Sequence, residues 1–511
     1  MGLAVVRTRA QMGMDAPAVR VEVNVGKRGV PTFQIIGMPE TTVREARDRV
    51  KTAILNSEFD FPIAKIVVNL SPAELPKQGA RFDLAIALGI LVASEQLDDQ
   101  QLDELEVYGE LALDGAVRNM SGVLPSLLAC QQAGRRALIP KGNEAEAGLL
   151  RSPLAYPVPA LKVAAEHLGG QRRLDVVQPT QLAVAPVLSG DIADVHGQEQ
   201  AKRALLLAAA GGHHVLFVGP PGTGKTMLAQ RLLGLMPPLE EAAALEVAAI
   251  ESLAGIPFSA ERWRQRPFRA PHHSCSAAAL VGGGSIPKPG EVTRANHGIL
   301  FLDELTETPR HVLDTLREPL ESGTVCISRA QQQTTFPARF QLICALNPSP
   351  CGTFNGDIRS SRSTPDQILK YLSKVSGPFL DRIDLQVDVP RQPDALRDAH
   401  QQAKRPQLES HKLQEKVVAA QQRQLERQGC LNRNLSVRKL TEVAALSDDD
   451  HEFLVTAMER LQLSHRAFHR TLRLARTIAD LSGEEALRRE HLLEALSYRA
   501  LDNLLTQLRD L

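Results

Sequence analysis

A glycine-rich segment in the middle of the chain has the composition and spacing of a phosphate-binding loop. It follows an apolar run at 214–218, precedes a helical pattern at 226–235 and fits the pattern GxxxxGK[ST]. Glycines let backbone N–H groups approach phosphate oxygens, and the helix N-terminus adds a positive field. Eight matching positions argue against a glycine turn without a ligand. The residues expected to bind ATP are Gly219, Pro220, Pro221, Gly222, Thr223, Gly224, Lys225 and Thr226.

Two carboxylates come directly after a second apolar run, Ile299–Leu302. The first of them, Asp303, stands 77 residues after Thr226, and we expect these two side chains to bind Mg²⁺. We expect Glu304 to polarise the water that attacks the γ-phosphate. Acidic residues at strand ends are common, so this pattern indicates a nucleotide site only in combination with the phosphate-binding loop that precedes it in the chain.

Two further polar side chains are candidates for the chemistry of the γ-phosphate. Asn347 follows a third apolar run and could position the attacking water, although an asparagine before proline also initiates turns. Arg382 could stabilise transition-state charge on a nucleotide held by a neighbouring copy. A salt bridge to Asp381 or Asp384 is the structural alternative for Arg382.

Three arginines lie on one face of a predicted helix at 467–481. They stand at positions i, i+4 and i+7, as Arg466, Arg470 and Arg473. Such a stripe is usually a solvated face. We expect that at least one of the three senses the γ-phosphate, and Arg466 is our choice.

The elements that must position these residues divide the chain into three segments. Residues 190–390 alternate short apolar strands with helices, which predicts an α/β domain with a parallel sheet covered on both faces. Residues 405–511 have a helical pattern. Residues 1–175 mix strands and helices and predict an α+β domain.

Composition excludes several classes of protein. The 511 residues carry 59 basic and 59 acidic side chains, and 43% are hydrophobic, as in ordinary globular proteins. The neutral balance argues against coating of nucleic acid by bulk charge. Six scattered cysteines without a CxxC pair suit reduced thiols, and no apolar run is long enough to cross a membrane. We expect a soluble, cytoplasmic protein.

Several motifs together resemble the magnesium-chelatase-like branch of the AAA+ ATPases, and within it the ComM/YifB family. The similarity lies in four segments, at 267–273, 279–284, 287–291 and 380–384. It implies a hexameric ring of identical subunits, with ATP bound between neighbours and the helical segment at 405–511 as a lid. It also implies Walker residues at Lys225, Thr226, Asp303 and Glu304, the first sensor at Asn347, the trans-acting arginine finger at Arg382 and the second sensor at Arg466.

The N-terminal segment resembles the proteolytic domain of Lon proteases. The similarity lies in Lys77–Asp83 and Tyr108–Val117. Arg81 stands where that family has its nucleophilic serine, and Leu124 stands where it has the catalytic lysine. Without a hydroxyl and a base, the Ser–Lys chemistry is impossible. We interpret the domain as an inactive scaffold or a partner-binding module.

Two predicted hairpins are candidates for contacts with DNA. By resemblance, loops at 281–291 and 321–336 line the channel of the ring, so Lys288 and Arg329 are the candidate DNA contacts. The segment Arg262–Arg269 carries four arginines and could also contact phosphates, with a structural surface strand as the alternative. The adjacent His272 and His273 are expected to point in different directions and not to form a metal site.

Four functions remain open on the sequence. We prefer a ring ATPase that couples hydrolysis to DNA remodelling, specifically branch migration in recombination or natural transformation, with branched or single-stranded DNA as partner. The main alternative is a chelatase-type motor that remodels a partner protein. An ATP-dependent peptidase is disfavoured by the missing Ser–Lys pair, and a scaffold without turnover by Glu304 and Arg382.

We predict that no zinc is bound in the loop at 347–363. Relatives often carry cysteines where Ser349, Ser361 and Ser363 stand, and only Cys351 remains as a thiolate ligand. A tetrahedral zinc site needs four ligands. Metal analysis of the purified protein is expected to find no zinc, and one equivalent per chain would contradict the prediction.

Overall fold

The computed structural model describes most of the chain, with gaps. The ranges described are 2–26, 30–38, 41–98, 100–182, 190–284, 287–329, 332–352, 354, 362–392, 409–460 and 464–509. No helix within these ranges is both long and apolar enough to cross a bilayer.

A mixed seven-stranded sheet organises the first part of the chain, in the order β3-β4-β2-β1-β5-β8-β9. Its strands are β1 (Leu3–Arg9), β2 (Ala18–Val25), β3 (Thr32–Ile36), β4 (Lys65–Ser71), β5 (Leu105–Val107), β8 (Arg136–Pro140) and β9 (Ala155–Val158). A small hairpin joins β6 (Glu110–Leu111) to β7 (Val117–Arg118). The helices are α1 (Thr41–Asn56), α2 (Asp83–Ala93), α3 (Val123–Gln132), α4 (Glu144–Ala147) and α5 (Leu161–Leu168).

Hydrophobic patterning explains the packing of this sheet. In β2 the valines at alternate positions are buried while the residues between them face outward, as expected for one covered face. The covering helix α2 is apolar on nearly all sides and almost wholly buried. It packs on β1 and β2, and a side chain at Gly89 would collide with Val23.

A second sheet of five parallel strands occupies the middle of the chain, in the order β11-β14-β17-β10-β18. Its strands are β10 (Val215–Val218), β11 (Phe268–Arg269), β14 (Ile299–Leu302), β17 (Gln341–Leu346) and β18 (Leu385–Asp388). The helices of this region are α6 (Glu199–Gly211), α7 (Lys225–Leu235), α8 (Glu241–Leu253), α9 (Ala277–Val281), α10 (Glu291–Arg294), α11 (Arg310–Asp314), α12 (Arg317–Ser322), α13 (Pro365–Leu372) and α14 (Gly377–Leu380).

The three inner strands of this sheet are continuous buried runs, as a parallel sheet covered on both faces requires. Because they are parallel, their carboxyl ends meet at one edge of the sheet. The residues that follow the three strands begin with Gly219, Asp303 and Asn347. The α/β class and the parallel sheet predicted from the sequence are therefore confirmed.

Two hairpins leave this sheet. One pairs β12 (Gly282–Gly283) with β13 (Lys288–Pro289), and the other pairs β15 (Thr324–Arg329) with β16 (Gln332–Pro337). Both predicted hairpins are thus present. The segment at 309–320, whose pattern is helical, forms two short helices, α11 and α12, rather than one unbroken helix. Pro319, inside α12, has no N–H to donate to the carbonyl of Thr315, and its ring crowds that carbonyl, so the helical hydrogen bonds are interrupted between α11 and α12.

The C-terminal region is helical, as predicted, and shares its core with the parallel sheet. Its helices are α15 (Glu409–Gln428), α16 (Val437–Ala444), α17 (Asp448–Arg460), α18 (His465–Ser482), α19 (Arg489–Ser497) and α20 (Ala500–Arg509). Val417 of α15 and Ile478 of α18 belong to one apolar cluster with α6 and the strands. The domain boundaries at 175, 190, 390 and 405 stay a prediction.

The N-terminal region also packs firmly on the central one. Apolar residues of α3 and β8 form one buried cluster with α8 and Trp263. The backbone N–H of Gly122 donates to the carbonyl of Ser252 at 2.9 Å, and the Ser252 hydroxyl donates to Glu146 at 2.6 Å. A side chain at Gly13 would collide with Thr334 of β16. The two regions therefore share an interface that includes the second hairpin.

Candidate functional site

The glycine-rich loop joins β10 to α7 at the carboxyl edge of the parallel sheet. Gly222 and Gly224 have φ of +77° and +87°, a conformation that favours glycine, and a Cβ at either position would face open space. Gly224 precedes α7, and no side chain caps this helix. The first N–H groups of α7 are therefore available to phosphate oxygens, which is the fit that a nucleotide requires.

The side chain of Lys225 folds back over this loop. Its ammonium donates to the carbonyls of Gly219 and Pro220 at 2.7 and 2.8 Å and to Oδ1 of Asn347 at 3.1 Å. Burial lowers the pKa of Lys225, while the charge of Asp303 opposes that shift. The structure thus brings Lys225 and Asn347 together, although 122 residues separate them.

Thr226 and Asp303 form the second pair of this edge. The Thr226 hydroxyl donates to Oδ2 of Asp303 at 3.0 Å. A hydroxyl and a carboxylate oxygen are hard donors of the type that Mg²⁺ prefers in nucleotide sites. The donor set therefore fits Mg²⁺ with a bound triphosphate.

Glu304 contacts His273, a residue for which the sequence indicated no role. Nδ1 of His273 lies 2.8 Å from Oε2 of Glu304, and Glu304 itself has a φ of +49°. His273 follows β11, the strand beside β14 in the sheet. The two histidine side chains do not point in different directions: the ring centroids of His272 and His273 are 4.1 Å apart. The alternation expected in a strand does not apply, because this segment lies outside β11. Only the neighbouring strand order, which the sequence does not reveal, could have indicated this contact.

Arg382 lies at the opposite, amino edge of the sheet. It precedes β18, whose first residue Leu385 pairs with Val215, the first residue of β10. The phosphate-binding loop follows the last residue of β10. Because a strand of four residues is about 13 Å long, the loop and the start of β18 are separated by about that distance. The guanidinium of Arg382 donates to Oε1 of Glu321 at 2.5 Å. The expected alternative partners, Asp381 and Asp384, were therefore wrong.

The three arginines of α18 have different environments. Arg466 is 64% exposed and lies 3.9 Å from Glu321, the carboxylate that Arg382 also contacts. Arg470 is buried and donates to the carbonyl of Ile383 at 2.7 Å, and Arg473 donates to that of Leu435 at 2.7 Å. A solvated face is thus wrong for the last two. The structure brings Arg466 beside Arg382 and not to the phosphate-binding loop of its own chain.

The candidate DNA contacts lie on the two hairpins. Lys288 is exposed in β13, and among the described residues it has no ion-pair partner. Arg329 ends β15, with its backbone paired to Gln332, and its side chain is outside the described part of the chain.

Side chains of the arginine-rich segment at 262–269 make contacts within the protein. Trp263 is buried, Arg266 donates to the carbonyls of Pro237 and His297, and Arg269 forms an ion pair with Glu291 at 2.6 Å. The donors of Arg266 and Arg269 are used within the protein, which favours the structural alternative for these arginines.

Two serine hydroxyls lie close to the sulfur of Cys351. The hydroxyls of Ser349 and Ser363 lie 3.4 and 3.1 Å from the Cys351 sulfur. Ser361 lies outside the described residues. The absence of zinc stays a prediction.

Models of known protein families match three segments of the chain. Residues 191–396 match the family described as magnesium chelatase, subunit ChlI. Residues 21–143 match the family of subunit ChlI of Mg-chelatase, and residues 407–499 match its C-terminal family.

Similar proteins extend this result over the full length. The competence protein ComM of Haemophilus influenzae is 48% identical, and the protein YifB of Escherichia coli is 47% identical, each over 100% of both chains. The magnesium-chelatase 38 kDa subunit of Rhodobacter capsulatus is 31% identical over 32% of this chain and 50% of its own. With these matches and the geometry of the phosphate-binding edge, the chain belongs to the ComM/YifB family and has its magnesium-chelatase-like AAA+ fold.

Proposed function

We propose that this protein is a ring-forming ATPase that couples ATP hydrolysis to DNA branch migration. The observation that carries the ATPase is the cluster of Lys225, Thr226, Asp303 and Asn347 at one edge of the sheet. The relative named as a competence protein supports DNA as the substrate, since competence concerns the uptake of DNA. A location in the cytoplasm is part of this proposal.

The positions of these side chains support the following roles in hydrolysis. Lys225 would exchange its carbonyl partners for the β- and γ-phosphates, and Thr226 and Asp303 would hold Mg²⁺, which would neutralise phosphate charge. Asn347 and Glu304 orient the attacking water. Oε2 of Glu304 is already in contact with Nδ1 of His273, so this histidine would help to orient the carboxylate.

The amino-edge arginines act on a neighbour. Because Arg382 and Arg466 share Glu321 at the edge opposite to their own phosphate-binding loop, they serve the nucleotide of an adjacent subunit. Hydrolysis therefore requires an oligomer, and a hexamer is the ring size that the family resemblance suggests. Closure of the interface would separate both arginines from Glu321 and aim them at the γ-phosphate.

The N-terminal domain is proposed to be a Lon-protease-like scaffold without protease activity. At the two positions of the expected dyad stand Arg81, which is nearly buried, and Leu124, which is completely buried. Neither side chain can act as a nucleophile or as a general base.

A chelatase-type motor that remodels a partner protein is the second candidate. The similarity of residues 191–396 to magnesium chelatase favours it. The ATPase rate with and without branched or single-stranded DNA separates the two. We expect strong stimulation by DNA, whereas indifference to every DNA tested would favour the protein-remodelling motor.

Replacing Glu304 by glutamine is expected to preserve ATP binding and to reduce turnover by about 100-fold or more, because the amide cannot polarise water. Equilibrium binding of labelled ATP and phosphate release measure the two properties. Glu307→Gln makes the same chemical change three residues away, where the carboxylate contacts Tyr371 and Lys374. Normal turnover of Glu304→Gln would show that another group is the base.

Lys288→Ala and Arg329→Ala are each expected to weaken single-stranded DNA binding by about fivefold and to lower the salt dependence by about one ion. Fluorescence anisotropy across a salt series measures both. Lys412→Ala removes an equally exposed lysine from α15 and is the matched control. Unchanged DNA affinity and unchanged DNA-stimulated ATPase in both hairpin variants would exclude these contacts.

A further inference from the structure

A cavity of about 400 Å³ lies between the N-terminal domain and the two hairpins. Gln11, Gln78, Arg81 and Asn119 line it from the N-terminal side, and Lys288 and Thr334 line it from the hairpins. The cavity is therefore bounded by both hairpins that carry the candidate DNA contacts, and by a domain that so far has no ligand.

The floor of this cavity is a buried guanidinium without a counter-ion. Arg81 is 8% exposed. Its hydrogen bonds go to neutral acceptors: the carbonyls of Ser121 at 3.0 Å and Arg9 at 3.4 Å, Oε1 of Gln11 at 3.3 Å and the hydroxyl of Ser126 at 3.4 Å. Three of these four contacts are long, so the guanidinium is only loosely satisfied.

Other well-covered arginines of the same domain are paired differently. Arg9 binds Glu106 through two hydrogen bonds, and Arg49 binds Asp83 in the same way. No carboxylate in the described part of the chain forms an ion pair with Arg81. Burial lowers the pKa of Arg81 to about 10. Because a buried charge without a counter-ion is costly, an anion in the cavity would stabilise this guanidinium.

The walls of the cavity also favour an anion. Lys288 supplies a second cation, and the amide groups of Gln78 and Asn119 can donate hydrogen bonds. Glu110 is the carboxylate that lines the cavity, and it lies 3.5 Å from Arg118, which offsets its charge.

We propose that this cavity binds a phosphate group, with Arg81 at its floor and Lys288 at its hairpin wall. The phosphate comes either from the backbone of a DNA strand in the channel or from a free phosphate anion. The DNA source rests on the proposed function, whereas the free-anion source does not. In both cases the N-terminal domain and the hairpin bind one ligand together, which gives this domain a role in ligand binding.

Gln78→Glu and Asn119→Asp test the site without removing Arg81, whose replacement could disturb folding. Each adds a negative charge at the cavity with almost no change in size. Gln171→Glu makes the same change at an exposed position outside the cavity and is the control. The full-length protein is saturated with Mg·ADP to fill the phosphate-binding loop, and binding of pyrophosphate and of a labelled single-stranded oligonucleotide is measured by calorimetry and anisotropy.

We expect each cavity variant to bind at least one probe about fivefold more weakly than the control does. Loss of oligonucleotide affinity identifies the DNA backbone as the source, and loss of pyrophosphate affinity alone identifies a free anion. If the normal protein binds no DNA, the proposed function fails. The pyrophosphate measurement then still tests whether the cavity binds a phosphate group. Affinities for both probes equal to those of the control, or no binding of either probe by the normal protein, would overturn the proposal.

Discussion

The common direction of the five strands in the central sheet is the constraint on which the site depends. It brings the ends of β10, β14 and β17 to one edge, where Lys225 contacts Asn347 and Thr226 contacts Asp303. The same direction sends the segment before β18 to the opposite edge, and Arg382 with it. Under the proposed function, one chain would carry the two halves of a hydrolytic site on opposite edges, with Arg382 and Arg466 both beside Glu321 in the arginine half.

Local signals made the phosphate-binding edge predictable. A glycine-rich loop between an apolar run and a helix, and carboxylates after a second run, are properties of short segments, and the parallel sheet follows from their alternation. Contacts between distant segments were not predictable. The pairing of Arg382 with Glu321 and of His273 with Glu304 depends on strand order, and the break between α11 and α12 depends on one proline. The arginines at 262–269 looked available for phosphates because nothing in their sequence indicates that backbone carbonyls use them.

The neutral composition acquires a different meaning once the cations are located. Most arginines near the sheet are engaged by carbonyls or carboxylates, so they stabilise the protein and leave few charges for a ligand. Lys288 and Arg81 differ from them, since among the described residues neither forms an ion pair, and both line the cavity between the N-terminal domain and the hairpins. A few such cations, repeated around an oligomer, can hold a polyanion without a basic tail. The shared interface of α3 and α8 then connects the N-terminal domain to the central domain that carries the phosphate-binding loop.

The central claim is that ATP is hydrolysed between two chains, with Lys225 from one and Arg382 from the other. Co-expression of Lys225→Ala and Arg382→Ala chains, followed by purification of the mixed oligomer, tests it through the ATPase rate. Each variant alone is expected to be inactive, and random mixing should restore about a quarter of the normal rate, because about one interface in four combines an intact loop with an intact arginine. A mixed oligomer as inactive as either variant alone would contradict the account.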